Sequence, residues 1–140
     1  MPYKILEHTA DIGLSLEGKN LVELFQDGAI GLVSLITEIR PVAVERKRIK
    51  KSFDLSAEGP GRLLMLWLRE LLFEFSAHGV IFSDYQFHDL RETALKVQAW
   101  GYRFDPKQDV QRYEVKAVTY HGFKLESKNF GWHAEVLFDI

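Results

Sequence analysis

The stretch Pro60-Gly61-Arg62-Leu63-Leu64-Met65-Leu66-Trp67-Leu68-Arg69-Glu70-Leu71-Leu72-Phe73-Glu74-Phe75 decides the fold. Leu63, Leu64, Trp67, Leu68, Leu71, Leu72 and Phe75 recur at steps of three and four, the period that lines one face of an α-helix. Arg62, Arg69, Glu70 and Glu74 supply the polar side. Pro60 suits the first helical turn, where its missing N–H costs nothing. Gly79 marks the end, with His78 in the last turn. So broad an apolar face makes this helix the main core element, and places Trp67 and Phe75 in the core rather than against a ligand.

Upstream, residues 3–6 and 12–17 read as strands. Ile12, Leu14 and Leu16 alternate with Gly13, Ser15 and Glu17, so one face is buried. After the turn at Gly18-Lys19, Asn20 is placed to cap a helix, with Glu23 returning the bond. Leu21, Leu24, Phe25, Leu32, Val33 and Ile36 carry that helix to about Thr37, before the Arg40-Pro41 step. Gly28 and Gly31 weaken it but let it approach a sheet closely. Residues 42–57 read as extended. Their basic run, Glu45-Arg46-Lys47-Arg48-Ile49-Lys50-Lys51, fits either an RNA-contacting strip or a solvated edge strand whose cations discourage edge-to-edge pairing. No aromatic residue interleaves with these charges along the chain, which favours the edge strand.

Downstream of Gly79 the chain is β-like. Residues 80–84, 85–89, 93–104, 113–121 and 123–126 read as strands, with a polar loop at 105–109 and a turn at 127–131. In residues 132–139, Trp132, Ala134, Val136 and Phe138 share one face, and His133, Glu135, Leu137 and Asp139 the other. Two helices separated by strands, then a β-rich second half, predict an α+β fold: a two-layer sandwich with a mostly antiparallel sheet and two main helices. The length suits a single domain over residues 1–140.

Composition narrows the function. With 46% hydrophobic and 27% charged residues and a net charge of −2, no global positive field draws nucleic acid, so any RNA contact is local or passes through a partner. The absence of Cys removes disulfides, thiolate metal sites and a Cys nucleophile. Arg69 and Glu70 interrupt the most hydrophobic segment, so no membrane span is expected. The N-terminus has no basic start followed by a long apolar run. A cytoplasmic protein without a membrane partner is the expectation.

Chemistry concentrates at two places. Glu7-His8-Thr9-Ala10-Asp11-Ile12-Gly13 is a polar knot where a small protein usually makes a plain turn, and Phe138-Asp139-Ile140 sets a carboxylate beside the terminal one. Taken singly, His8, Thr9 and Asp11 fit residues that cap or turn the backbone, and Asp139 a solvated strand end. Considered together, they raise the question of whether the two ends meet. Gly-rich phosphate loops, His-Glu-x-x-His and Gly-x-Ser-x-Gly are all missing. The five His are scattered singly, though His8, Asp11 and His121 could assemble a metal-dependent phosphoester hydrolase. A chaperone-like RNA-binding module using the basic strand is a further alternative.

The Glu7–Gly13 run, Glu114-Val115-Lys116-Ala117-Val118-Thr119-Tyr120-His121 and the closing residues 136–140 resemble the archease family. The resemblance spans the whole chain in length and order of elements. One departure lies in the polar loop, where family members often carry a His and this chain has Asp109. The resemblance implies a protein cofactor rather than an enzyme. Its partner is the tRNA-splicing RNA ligase that forms a histidine-guanylate and joins 2′,3′-cyclic-phosphate and 5′-hydroxyl ends with GTP and manganese. Archeases promote the guanylylation step, support multiple turnover and relax nucleotide choice. The family's metal site maps onto Asp11, Asp139 and the carboxylate of Ile140, and Lys116 looks like a further functional position. His8 and His121 are weaker candidates. Three carboxylates brought together repel one another unless a cation intervenes. All-oxygen ligation selects a hard ion, Ca²⁺ first, with Mg²⁺ or Mn²⁺ as alternatives.

Overall fold

The computed structural model describes residues 2–7, 10–38, 46–129 and 131–140, and of Glu7 only the main chain. His8, the Arg40-Pro41 step and the first part of the extended stretch at 42–57 lie outside the described residues. The elements run β1 (Tyr3–Glu7), β2 (Asp11–Gly18), α1 (Leu21–Ile36), β3 (Ile49–Ser56), α2 (Pro60–His78), β4 (Val80–Leu90), β5 (Ala94–Arg103), β6 (Ala117–Lys128) and β7 (Gly131–Asp139).

Local chemistry sets the helix ends. Asn20 accepts from the Glu23 N–H at 2.9 Å, and Glu23 Oε2 accepts from the Lys19 N–H at 3.1 Å. The first bond satisfies a donor that the opening helical turn leaves free; the second ties down Lys19, the residue before the cap, rather than the Asn20 N–H expected to receive Glu23. Pro60 opens α2 and Gly79, at φ 69°, closes it. α1 ends at Thr37, whose N–H reaches the Val33 carbonyl.

The fold is α+β, and every strand pairing is antiparallel. The strands divide between two sheets, a four-stranded one in the order β1-β2-β7-β6 and a three-stranded one in the order β3-β5-β4. Both helices touch strands of both sheets. Their shared core includes Ile12, Leu14 and Leu16 of β2, Phe25 and Leu32 of α1, Leu64 and Trp67 of α2, and Val136 and Phe138 of β7. The α1 glycines do permit close approach: a Cβ on Gly31 would lie 2.9 Å from Leu14 Cδ1, and one on Gly28 3.3 Å from Leu16 Cδ1. Side chains there would hold the helix off β2.

Four expectations change in detail. Residues 80–84 and 85–89 form one strand, β4, with irregularities after Phe82 and Phe87. The strand expected at 113–121 starts only at Ala117. The main chain before it is spent on the end of α1: the Arg112 and Tyr113 N–H groups donate to the Ile36 and Leu35 carbonyls at 2.8 and 3.0 Å. Those carbonyls have no acceptor role left inside the helix, so residues 110–113 complete its C-terminus rather than a sheet. The break expected between 121 and 123 is instead an irregularity within β6, where Gly122 sits at φ 68°. Lastly, Glu74 does not face solvent with Arg69. It is buried, and its carboxylate accepts from Lys51 Nζ on β3.

Candidate functional site

The polar knot and the chain's closing residues meet through strand pairing. β2 and β7 are neighbours at the centre of the four-stranded sheet, and their register sets Asp11 directly across from Asp139. Alternation explains which way they face. Ile12 and Phe138, the next pair, are buried in the core, so Asp11 and Asp139 lie on the opposite face of the sheet. Residues directly opposite on one face have their Cβ atoms about 5 Å apart, and like charges there destabilise the pair.

Two more contacts gather on Asp139, and a third ties down the residue after it. Ala117, the first residue of β6, is its partner on the other side. The Lys116 N–H donates to the Asp139 carbonyl at 2.8 Å, and the Ile140 N–H reaches the Ala10 carbonyl at 3.5 Å. Asp11, Lys116, Asp139 and Ile140 are therefore held at one end of one sheet by main-chain bonds, independently of their side chains. The Lys116 side chain is exposed, whereas Val115 before it is buried.

The electrostatics of this corner are unfinished. Asp11 Oδ1 is buried without a hydrogen-bond partner among the described residues. A buried acceptor left this way costs the desolvation of the group, about 1–3 kcal/mol, unless something binds it. A hard cation on oxygen donors fits such an atom. Among the described residues no three His, Cys, Asp or Glu side chains converge on one point. Among the described residues the side chains here supply two carboxylates, those of Asp11 and Asp139.

The remaining candidates are dispersed. His8 lies outside the described residues. His121 is exposed on β6, beyond Thr119, which pairs with Leu137, so it does not sit level with Asp139.

The basic run resolves into several roles. β3 is an edge strand of its sheet, as its cations predicted. Arg46 grips Asp109 with both terminal nitrogens, at 3.0 and 2.8 Å, and its guanidinium lies 4.3 Å from the centre of the Tyr102 ring. The Asp109 bond holds the Arg46 guanidinium more firmly protonated than usual, and burial raises the Tyr102 hydroxyl, with the Asp109 charge adding to it. Asp109 thus anchors the polar loop, since its Oδ2 also accepts from the Asp105 N–H at 2.8 Å. Sequence reading missed one feature. Lys50 pairs across the sheet with Trp100, so an aromatic does stand among the cations, supplied by β5 rather than by β3.

Comparison with known proteins agrees with this architecture. The model of the Archease protein family (MTH1598/TM1083) matches residues 3–140. The chain is 35% identical to protein archease of Methanosarcina mazei, over 99% of this chain and 95% of that one. It is 34% identical to protein archease of Methanopyrus kandleri, with both chains covered in full. The solution structure of protein 1598 of Methanobacterium thermoautotrophicum superposes with a TM-score of 0.75 at 24% identity, covering 99% of each chain. A Thermotoga maritima crystal structure described as "an archease, possible chaperone" superposes with a TM-score of 0.68 at 22% identity, over 98% of this chain and 96% of that one. With a family model matched over nearly every residue and relatives about 35% identical along the full length, the chain belongs to the archease family.

Proposed function

We propose that this archease is a protein cofactor of the tRNA-splicing RNA ligase, and that it works through a divalent cation held at the Asp11–Asp139 corner. The observation that carries the reading is the buried, unpartnered Asp11 Oδ1 beside a second carboxylate in register. Asp11, Asp139 and the carboxylate of Ile140 would hold the ion, Ca²⁺ by preference and Mg²⁺ or Mn²⁺ as alternatives. The bound cation would supply positive charge at the sheet end, accessible to another protein's active site. Asp139 is exposed, which suits presentation to a partner rather than an enclosed substrate pocket. Lys116, tied by its main chain to Asp139, brings a flexible ammonium to the same end of the sheet. In this role the protein promotes ligase guanylylation, supports multiple turnover and broadens nucleotide use, without turning over a substrate itself.

The test compares the chain ending at Ile140 with one extended by a short tag, which replaces that carboxylate by a neutral amide. Calorimetric titration with Ca²⁺, Mg²⁺ and Mn²⁺ and guanylylation of the ligase are both measured. Weaker ion binding and weaker stimulation in the extended form are expected. Equal values in both forms would remove Ile140 from the site. Turnover of a phosphoester by the purified protein alone would favour the hydrolase reading.

A further inference from the structure

The three-stranded sheet has an outer face. Residues 51, 53 and 55 of β3 and 95, 97 and 99 of β5 share the inner side, with Phe53, Leu95, Val97 and Ala99 buried in the core. Alternation therefore puts Lys50 and Ser52 of β3, and Gln98 and Trp100 of β5, on the other side. Lys50 and Ser52 are exposed and Trp100 is half-buried. The Arg48 guanidinium and the Lys50 ammonium lie 5.4 and 5.8 Å from the centre of the Trp100 ring. Both cations lie over the ring, and as the long side chains turn outward onto phosphates they leave the ring as a stacking surface for a base.

A second observation extends the charge. Lys47, Arg48, Lys50 and Arg103 line a cleft of about 1000 Å³ that adjoins this face. Neither Lys47 nor Lys50 has a carboxylate partner among the described residues, whereas Arg46 and Lys51 are committed to Asp109 and Glu74. Arg48 and Asp84 are 3.7 Å apart and both 65% exposed, a pairing weak enough for a phosphate to displace. The cleft's own carboxylates are already engaged: Glu74 with Lys51, and Asp105 with the Lys107 N–H and the Gln108 amide.

We infer that this face binds single-stranded nucleic acid, with a base stacked on Trp100 and the flanking phosphates on Lys47, Arg48 and Lys50. Stacking needs an unpaired base, so a duplex does not satisfy the site. Affinity here comes from stacking and phosphate charge, and the binding is accordingly tolerant of sequence. The inference does not rest on the ligase reading, because Asp11 and Asp139 belong to the other sheet.

The experiment titrates the full chain into fluorescein-labelled oligouridylate and oligoadenylate, followed by anisotropy between about 50 and 200 mM salt. Affinity should fall with salt. Lys47→Ala with Lys50→Ala should flatten the log–log slope by about 0.7 for each cation removed. Trp100→Ala should weaken binding roughly ten-fold with the slope unchanged, and Trp100→Phe should abolish the quenching of tryptophan fluorescence by the oligonucleotide. No binding at the low-salt end, an unchanged slope in the lysine variant, or equal affinity for a duplex of the same length would overturn the inference. So would equally strong binding of a polyglutamate peptide, which carries charge but no base. Should Trp100→Ala fail to fold, the lysine variant decides, since both of its positions are exposed.

Discussion

Trp67 of α2 donates its indole N–H to the main-chain carbonyl of Phe25 in α1, at 3.0 Å, with both side chains buried to 0% exposure. The bond joins the two helices at the centre of the core, and three rings close around the indole. Phe53 stands edge-on at 5.3 Å, and Tyr85 and Phe87 at 6.0 Å. Trp67→Ala should destabilise by roughly 3–5 kcal/mol, the range for a large buried aromatic. Trp67→Phe keeps most of the apolar volume but loses the donor, and should cost clearly less. Urea titrations of the two variants check the ranking, and equal losses would mean that the cavity contributes little.

Asp11 should separate folding from function. Asp11→Ala removes one of two like charges in register and the unpartnered buried oxygen. Stability in chelator should stay within about 0.5 kcal/mol of wild type or rise. Stimulation of ligase guanylylation should be lost. A variant that melts far below wild type would make Asp11 a structural capping residue.

Asp109 should be the costlier acidic residue to lose. Asp109→Ala leaves the Arg46 guanidinium, 14% exposed in its side chain, without its two-pronged partner. The loss should be about 1–3 kcal/mol, because the partly exposed Arg46 keeps the Arg103 carbonyl and the Tyr102 ring. Asp109→Asn keeps one acceptor and should fall between. Thermal denaturation of the two variants tests the order.

Asp27 sets a pH effect of opposite sign to the usual carboxylate. Burial, and then the neighbouring Glu23 charge, raise its pKa above the ordinary Asp value. The folded state thus keeps a proton that the unfolded chain has already released, and its stability falls as pH rises from the ordinary value to the raised one. Above that window the cost is constant. Asp27→Asn should therefore be slightly more stable than wild type at neutral pH, and the gain should vanish in acid. Asp27 is partly exposed, so solvent screening keeps the gain below about 0.5 kcal/mol. A gain that persists unchanged into acid would assign the effect to something other than this charge.

The helices were legible because their signals are local. The apolar period of α2 and the Asn20–Glu23 cap of α1 are decided within a few residues of sequence. Two kinds of information were not local. Division into two sheets depends on pairings such as Ser56 with Ala94 and Asp11 with Asp139, which no short window contains. Glu74 looked solvated because it follows Glu70 and Arg69 on the helix, yet Lys51 arrives from β3 to receive it. The alternation read over 113–121 continues back to Tyr113, but the carbonyls at the end of α1 claim the Arg112 and Tyr113 N–H groups, and the strand starts only at Ala117. Trp100 escaped notice for the same reason: the aromatic among the cations comes from an adjacent strand. Of the candidate site, the residues were legible, and their meeting was implied only by the family resemblance, since the approach of Asp11 to Asp139 is a property of register.

The strand order β1-β2-β7-β6 has a bearing on how the protein is made. A ribosome delivers β1 and β2 early and β7 after every other element. Throughout translation β2 carries an unpaired edge, and the corner that holds Asp11 stays open. The three-stranded sheet and α2 involve closer stretches of chain and can settle first. Ordering of the acidic corner is then coupled to the last step of folding, so that a truncated or still-emerging chain cannot display the pair of carboxylates. Such a chain instead exposes a bare strand edge of the kind to which other unfinished chains adhere.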